Sequence, residues 1–339
     1  MKNLIVFWGL LTLTFSVCWG HELQCGTPSV PEDSAILKEL HQIRDMRSRT
    51  TYNDTLYFRV QIHIIRNSSH TTSLIIDSLK KDFEDLNLYF APAAIRFYLC
   101  NDYNYIDNDL YYNFHDTDEA FLRQTYNDAN AINVYFANTV YIGADSYAGY
   151  SYRPSSTSPN FVVIANNYVR KMTLMHEVGH FFNLLHTHDH ENGYEYVNGS
   201  NCGSAGDFCC DTPADPELSE STVNTICQYI GTATDANGAL YNPDTHNIMS
   251  YSRKKCKDEF SSDQYERIRD AAYLSCRQNM CNHCTTLENG SWTSNHSLTD
   301  DIVIIKNFTM DANSIVISAC HEIVLKQTVT LQKGVILQP

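Results

Sequence analysis

The chain has 339 residues, 43% of them hydrophobic, 19% charged and only 9 proline, a globular composition with length for a sizeable core and about two domains. Lys+Arg 24 against Asp+Glu 39 leaves a formal charge of −15, which argues against the basic face that a nucleic-acid partner requires. The acidity reads as an ordinary soluble surface.

The chain opens MKNLIVFWGLLTLTFSVCWG. One lysine followed by a short apolar run predicts a secretory signal over 1–20, cut near Gly20. The run is too short for a comfortable membrane span, and no later segment is long and apolar enough to cross a bilayer. The expectation is an exported protein whose cysteines form disulfides. Of 12 cysteines, Cys18 would leave with the signal, and the remaining odd number requires at least one unpaired thiol. Residues 21–50 are polar, with one amphipathic helix around Ala35–Met46, and read as a leader outside the main core. Arg44, Arg47 and Arg49 then form a basic cluster that is either a solvated helix end or a processing site.

From Thr55, TLYFRVQIHIIRN alternates and is β-branched, as a strand should be. LIIDSLKKDFEDLNLYFA has helical spacing, with Leu74, Ile75, Leu79, Phe83 and Leu86 on one face. AIRFYLC, AINVYFANTV and FVVIANN are three further strands, the last leading into a helix, so the fold class is α+β with a mixed sheet and packed helices. Residues 187–247 lack periodicity, and a loop region of that length is functional or stapled. A last helix spans roughly Ser261–Ser275. Beyond Cys284 the texture is strand-like throughout. The domain reading is therefore a signal at 1–20, a leader at 21–50, a main domain at 51–284, and a small all-β module at 285–339 whose stacked repeats would bury each other's faces.

The chemistry concentrates in MHEVGHFFNLLHTHDH, residues 175–190. His176 and His180 stand four apart and point from one helix face, the spacing that gives two ligands to one zinc. Glu177 beside the first histidine is placed as a general base toward water at that metal. His186 lies too far on to share the face unless the helix stops. Asn183 stands where a left-handed turn would stop it, returning His186 as a third ligand. Three nitrogens and one open position describe a catalytic rather than a structural zinc. His188 and His190 are off-spacing and read as solvated loop residues.

A second motif, HNIMSYS, places Met249 in a turn two residues before Tyr251. Paired with HExxHxxNxxH upstream, it resembles the methionine turn beneath the zinc of metzincin proteases, with Tyr251 similar to the tyrosine that stabilises the oxyanion there. HEVGHFFNLLHTH, GDFCCDTPADP and NIMSYSRKKCKDEFSSDQYERI, in that order, resemble the pappalysin (cytophagalysin) family of secreted metzincins over about residues 25–275. The resemblance implies a two-lobed catalytic domain: an upper lobe whose edge strand aligns an extended peptide substrate by strand addition, and an irregular, disulfide-held lower lobe. It implies zinc on His176, His180 and His186, and calcium near Asp207 and Thr212, although an Asp-Thr-Pro turn with local caps serves that stretch equally. It also implies a disulfide Cys227–Cys256, a second from Cys202 to Cys209 or Cys210, and Cys25 of the leader as a thiolate latch on the open zinc position. Asn183 departs from the family's usual glycine.

The leading expectation is thus a secreted zinc endopeptidase. A gluzincin-type site, with Glu191 or Glu195 as third ligand, is disfavoured by His186 and the methionine turn. An idle metzincin scaffold working in adhesion is disfavoured by the intact Glu177. Retention at the cell surface is the expectation for the C-terminal module. Sequons stand at Asn53, Asn67, Asn198, Asn289, Asn295 and Asn307.

Overall fold

The computed structural model describes residues 22–47, 55–155, 159–278, 280, 284–292, 296–310, 315–331 and 335–338. The expected signal, Arg49 and the sequons at Asn53 and Asn295 lie outside them. In chain order, helix α1 (Ser34–Arg47) precedes strand β1 (Leu56–Arg66) and helix α2 (Ile76–Phe90). Next come β2 (Ile95–Tyr98), β3 (Asn104–Asp107), α3 (Asp109–Tyr112), β4 (Asn113–His115) and α4 (Glu119–Tyr126). Strands β5 (Ile132–Ala137), β6 (Thr139–Ile142), β7 (Asp145–Tyr147), β8 (Gly149–Ser151) and β9 (Val162–Ala165) lead to α5 (Thr173–Phe181). After a long irregular stretch come α6 (Ser262–Ala271), α7 (Ser275–Gln278), and strands β10 (Cys284–Trp292), β11 (His296–Met310), β12 (Ile315–Leu331) and β13 (Val335–Gln338).

The main sheet runs β2-β1-β5-β9-β8, with β3 also on β1. Its pairs are parallel except for β8, which lies antiparallel to β9 at the edge. Period-two alternation splits the side chains between two cores. Val60, Ile62, Ile64, Val134, Phe136, Val162 and Ile164 face α2, α5 and α6, while Ile65, Tyr135, Ala137, Val163 and Ala165 face the other cluster. Burial on both faces explains why β5 and β9 read as unbroken apolar runs. The first core centres on Phe182, whose ring meets Phe58 edge-on at 5.0 Å and lies 5.9 Å from Phe90 and 6.1 Å from Phe97.

Several expectations need correction. AINVYFANTV is two strands: β5 joins the main sheet, whereas β6 pairs with β4 and β7 in a separate three-stranded sheet. Asn138 between them donates its N–H to the Tyr112 carbonyl, turning the chain toward that smaller sheet. Ile75 is 66% exposed because it sits at the N-cap of α2, before the helical face begins. The last helix stops at Ala271 and a separate turn, α7, follows it. Its start is fixed by a reciprocal cap, in which Ser261 Oγ accepts from the Gln264 N–H and Gln264 Oε1 accepts from the Ser261 N–H. The leader is not outside the core: Ile36, Leu40 and Ile43 of α1 are buried in the first cluster. Arg44 is ion-paired to Asp270 of α6 at 3.2 Å.

The irregular stretch after α5 is stapled by Cys202–Cys210 and Cys227–Cys256. The adjacent pair thus resolves, with Cys210 bonded and Cys209 a buried free thiol; Cys25 and Cys276 are also free. The odd-count argument therefore identified a class of residue rather than Cys25 alone.

Strands β10 to β13 form one parallel sheet in sequence order. Cys284 pairs with Ile302, Ile315 with Val335 and Phe308 with Val329, so each residue meets one roughly 20 positions later. Parallel neighbours normally need a crossover of a dozen or more residues. Here the gaps between strands are three or four residues, so the strands themselves must bend round the coil. Val303, Ile305, Phe308, Met310, Ile315, Ile317 and Ala319 fill its interior.

Candidate metal centre and cleft

Strand β9 delivers the chain into α5, all nine of whose residues are buried. The helix ends in a Schellman motif, with the Leu184 N–H bonded to the Gly179 carbonyl at 2.9 Å and the Asn183 N–H to the His180 carbonyl at 2.8 Å. Asn183 takes φ 69° there, a left-handed conformation that asparagine reaches more readily than other non-glycine residues. The reversal brings the His186 ring 4.4 Å from that of His180 and 5.2 Å from that of His176. Beneath the helix, a Cβ on Gly179 would stand 2.8 Å from Met249 Sδ, so the methionine turn packs this closely only against glycine.

Two of the three imidazoles are oriented by backbone carbonyls. His176 Nδ1 is 2.7 Å from the Ile248 carbonyl oxygen and His180 Nδ1 is 2.8 Å from that of Leu184. These contacts assign the ring proton to Nδ1 and leave the Nε2 lone pairs pointing inward. Burial pushes all three histidines down, His180 to about 3, so the rings are neutral. His176 Nε2 is buried without a partner, and the Nε2 atoms of His180 and His186 face each other at 3.0 Å. Neutral nitrogens converging in this way fit a cation with imidazole ligands. Cys25 Sγ completes the group, the four donor atoms lying within 4.8 Å of one another.

Cys25 arrives on the leader, which lies along the sheet edge. It bridges Gly149 of β8 in the parallel sense, with Gly26 N–H on the Gly149 carbonyl and Ala148 N–H on the Gln24 carbonyl, both at 2.8 Å. A Cβ on Gly149 would lie 2.5 Å from the Val163 carbonyl oxygen, so a side chain would disrupt the edge. Glu177 Oε2 accepts from Cys25 Sγ at 3.3 Å and lies 3.1 Å from Thr27 Oγ1, while Oε1 is buried and unpartnered. Burial raises the Glu177 carboxyl to about 7 and, with the nearby Glu177 charge, pushes the Cys25 thiol up. A cation among the imidazoles would oppose that rise by favouring thiolate. The Tyr251 hydroxyl donates to the Cys25 carbonyl at 3.1 Å.

His188 is a correction. Its ring stacks on His186 at 4.9 Å and lies 4.4 Å from that of Tyr251, and burial lowers its pKa to about 3. His190 is exposed and stacks on Tyr194. Asp207 and Thr212 are brought together, but within a local turn: Asp207 Oδ1 accepts from the Cys209 N–H at 3.0 Å and from the Thr212 hydroxyl at 2.9 Å. Burial raises Asp207 to about 8 and Glu195 to about 7, and Glu195 Oε2 has no partner.

The sequence reading missed Thr27, Glu32, Arg153, Lys254, Lys257 and Arg267. Lys257 is buried with Nζ donating to the Ser250 carbonyl at 3.1 Å, and the charges of both lysines act on Glu177. No spacing rule marks such residues. Thr27 alone had a signal, its place beside the leader cysteine.

A buried helix under a mixed sheet with one antiparallel edge, its histidines brought together by a left-handed turn over a buried methionine, gives a metzincin-like two-lobed fold. Promirolysin of Tannerella forsythia shares this fold with TM-score 0.51 and 17% identity, over 76% of this chain and 97% of that one. Mature mirolysin in complex with a cleaved peptide matches with TM-score 0.50 and 18% identity, over 68% of this chain and 97% of that one. An extracellular metalloprotease of Podospora anserina is 27% identical over 280 residues, covering 76% of this chain and 87% of that protein. One from Colletotrichum graminicola is 28% identical over 268 residues, covering 72% and 88%. Residues 115–273 match the family described as pregnancy-associated plasma protein-A, and the chain is similar to these metalloproteases.

Proposed function

We propose that this chain is the latent form of a secreted zinc endopeptidase that cleaves extracellular protein. The observation that carries the reading is the convergence of three neutral imidazoles and the Cys25 thiol on one buried point, with the Glu177 carboxylate accepting from that thiol. His176, His180 and His186 would hold zinc, which when bound polarises a carbonyl and acidifies water. Glu177 would serve as general base and then general acid, its carboxylate positioned to take a proton from water and return it to the leaving amine. Tyr251, freed from the Cys25 carbonyl, donates its hydroxyl toward the oxygen of the scissile carbonyl. Strand β8, freed from the leader, offers its backbone groups to an extended peptide. Supporting secretion, the relatives are named extracellular metalloproteases; among the described residues no helix is long and apolar enough to cross a membrane. Cleavage of a peptide library by the processed chain tests the function, with Glu177→Ala as control. Zinc binding without any proteolysis would favour the idle scaffold.

The leader would impose latency by placing Cys25 at the centre and Thr27 against Glu177. Cys25→Ala should raise the peptidase activity of the unprocessed chain by at least about tenfold. An unchanged rate, or Cys25 found in a disulfide, would remove the latch.

Calcium at the Asp207 turn draws support from two buried carboxylates with raised pKa values and an unpartnered Glu195 oxygen. Chelating calcium with zinc kept saturating should then lower the Tm by several degrees. No shift would leave the stretch as a capped turn.

A further inference from the structure

The leader has a second anchor five residues past Thr27. The Glu32 side chain is 2% exposed, with Oε2 at 2.9 Å from both Arg153 Nη1 and Arg267 Nη2. Its Oε1 accepts from Asn183 Nδ2 at 2.7 Å. The arginine side chains are 9% and 6% exposed. Arg267 is held from behind, its Nε donating to the Asn183 carbonyl at 2.6 Å and its guanidinium lying 5.5 Å from the centre of the Phe208 ring.

The three partners of Glu32 come from structure that remains when the leader goes. Arg153 stands two residues past β8, Asn183 ends the active-site helix, and Arg267 belongs to α6. A cleft of about 260 Å³ lies beside the socket, between the leader (Thr27 and Glu32 among its lining) and Ser151, Arg153 and Asn183 of the body. Ser151 Oγ donates to the Glu177 carbonyl at 2.7 Å, so the far end of this cleft borders the general base.

Charge counting shows what the socket lacks once the leader leaves. The carboxylates that act on Arg153 are Glu32 and Asp189, while Arg267 acts on Asp207 as well as pairing with Glu32. Without Glu32, both guanidinium groups lose the carboxylate that they share at 2.9 Å. A buried charge stripped of its partner is strongly unfavourable, and a paired arginine fork suits a carboxylate in particular.

Building on the peptidase reading, we propose that the Arg153–Arg267–Asn183 socket is a substrate subsite that takes an acidic side chain once the leader has gone. Glu32 is then a mimic, occupying in the latent chain the place of a substrate glutamate or aspartate. The recognised residue lies several positions from the scissile bond, on the side toward which β8 runs. An acidic side chain there would dock into arginines already held in place, so little ordering cost accompanies its binding.

The test uses the chain cleaved between leader and β1 and separated from the leader. Its substrates are peptide pairs, amidated at the C-terminus, that carry Glu or Gln at each successive position. One position should favour Glu in kcat/KM by at least about tenfold. Arg153→Glu should invert that preference toward Lys, a reversal that a misfolded variant would not produce. Binding of the same peptides to the Glu177→Ala chain, read by calorimetry, should show the same preference without catalysis. If Glu and Gln peptides bind alike at every position, the subsite is overturned. If Glu is preferred in binding but no peptide is cut by the chain with Glu177 intact, the subsite stands and the peptidase reading falls. A preference confined to peptides with a free C-terminus would reassign the socket to a terminal carboxylate and overturn the side-chain proposal.

Discussion

Glu177→Gln should lower kcat about 10²- to 10⁴-fold, the range expected for a positioned general base, while zinc content stays stoichiometric. The amide keeps the size of the carboxylate but cannot take a proton. Glu177 is not among the donors that converge on the metal point, so its loss should not empty the centre. The expected pattern is a fall in kcat with KM little changed, as when an interaction belongs to the transition state. Activity within a few-fold of the parent would remove Glu177 from the role. Loss of zinc along with activity would show instead that the carboxylate supports the ligand cluster.

His186→Ala should abolish both zinc retention and peptidase activity, whereas Glu191→Ala or Glu195→Ala should leave zinc in place. In the proposed centre, His186 would be the ligand that the helix cannot supply, and it meets the other two histidines through the reversal at Asn183. Removing one of three nitrogens leaves a two-nitrogen site, far weaker than the three-ligand sets of catalytic zinc. Metal analysis of the purified variants separates the cases. Zinc kept by His186→Ala but lost from Glu195→Ala would exchange this ligand set for the gluzincin alternative.

The meeting of the three histidines was legible because it is written in short-range spacing: four residues for one helix face, then a turn residue, then a third histidine. The alternation of β1 and the apolar runs of β5 and β9 were legible for a similar reason, since burial on both faces leaves little else in the two runs. What stayed hidden depends on pairs far apart in the chain. Glu32 is 151 positions from Asn183, and nothing in a polar leader marks one carboxylate as buried. Similarly, β6 could not be separated from β5 by pattern, because which sheet a strand joins is decided by its partner. His188 was misjudged because its environment comes from Tyr251, over sixty residues downstream.

The leader's position along β8 bears on folding as well as on latency. An edge strand with free N–H and carbonyl groups is a template for unwanted pairing with other chains. In the latent chain, the bonds through Gln24, Gly26 and Thr27 close that edge from within the molecule. On the proposed reading, departure of the leader would expose the same backbone groups to solvent, where an extended peptide would meet them unpaired. A single row of hydrogen bonds would thus guard the newly made protein against its neighbours and later become the surface that gathers them, so that the proposed maturation would trade self-protection for recognition.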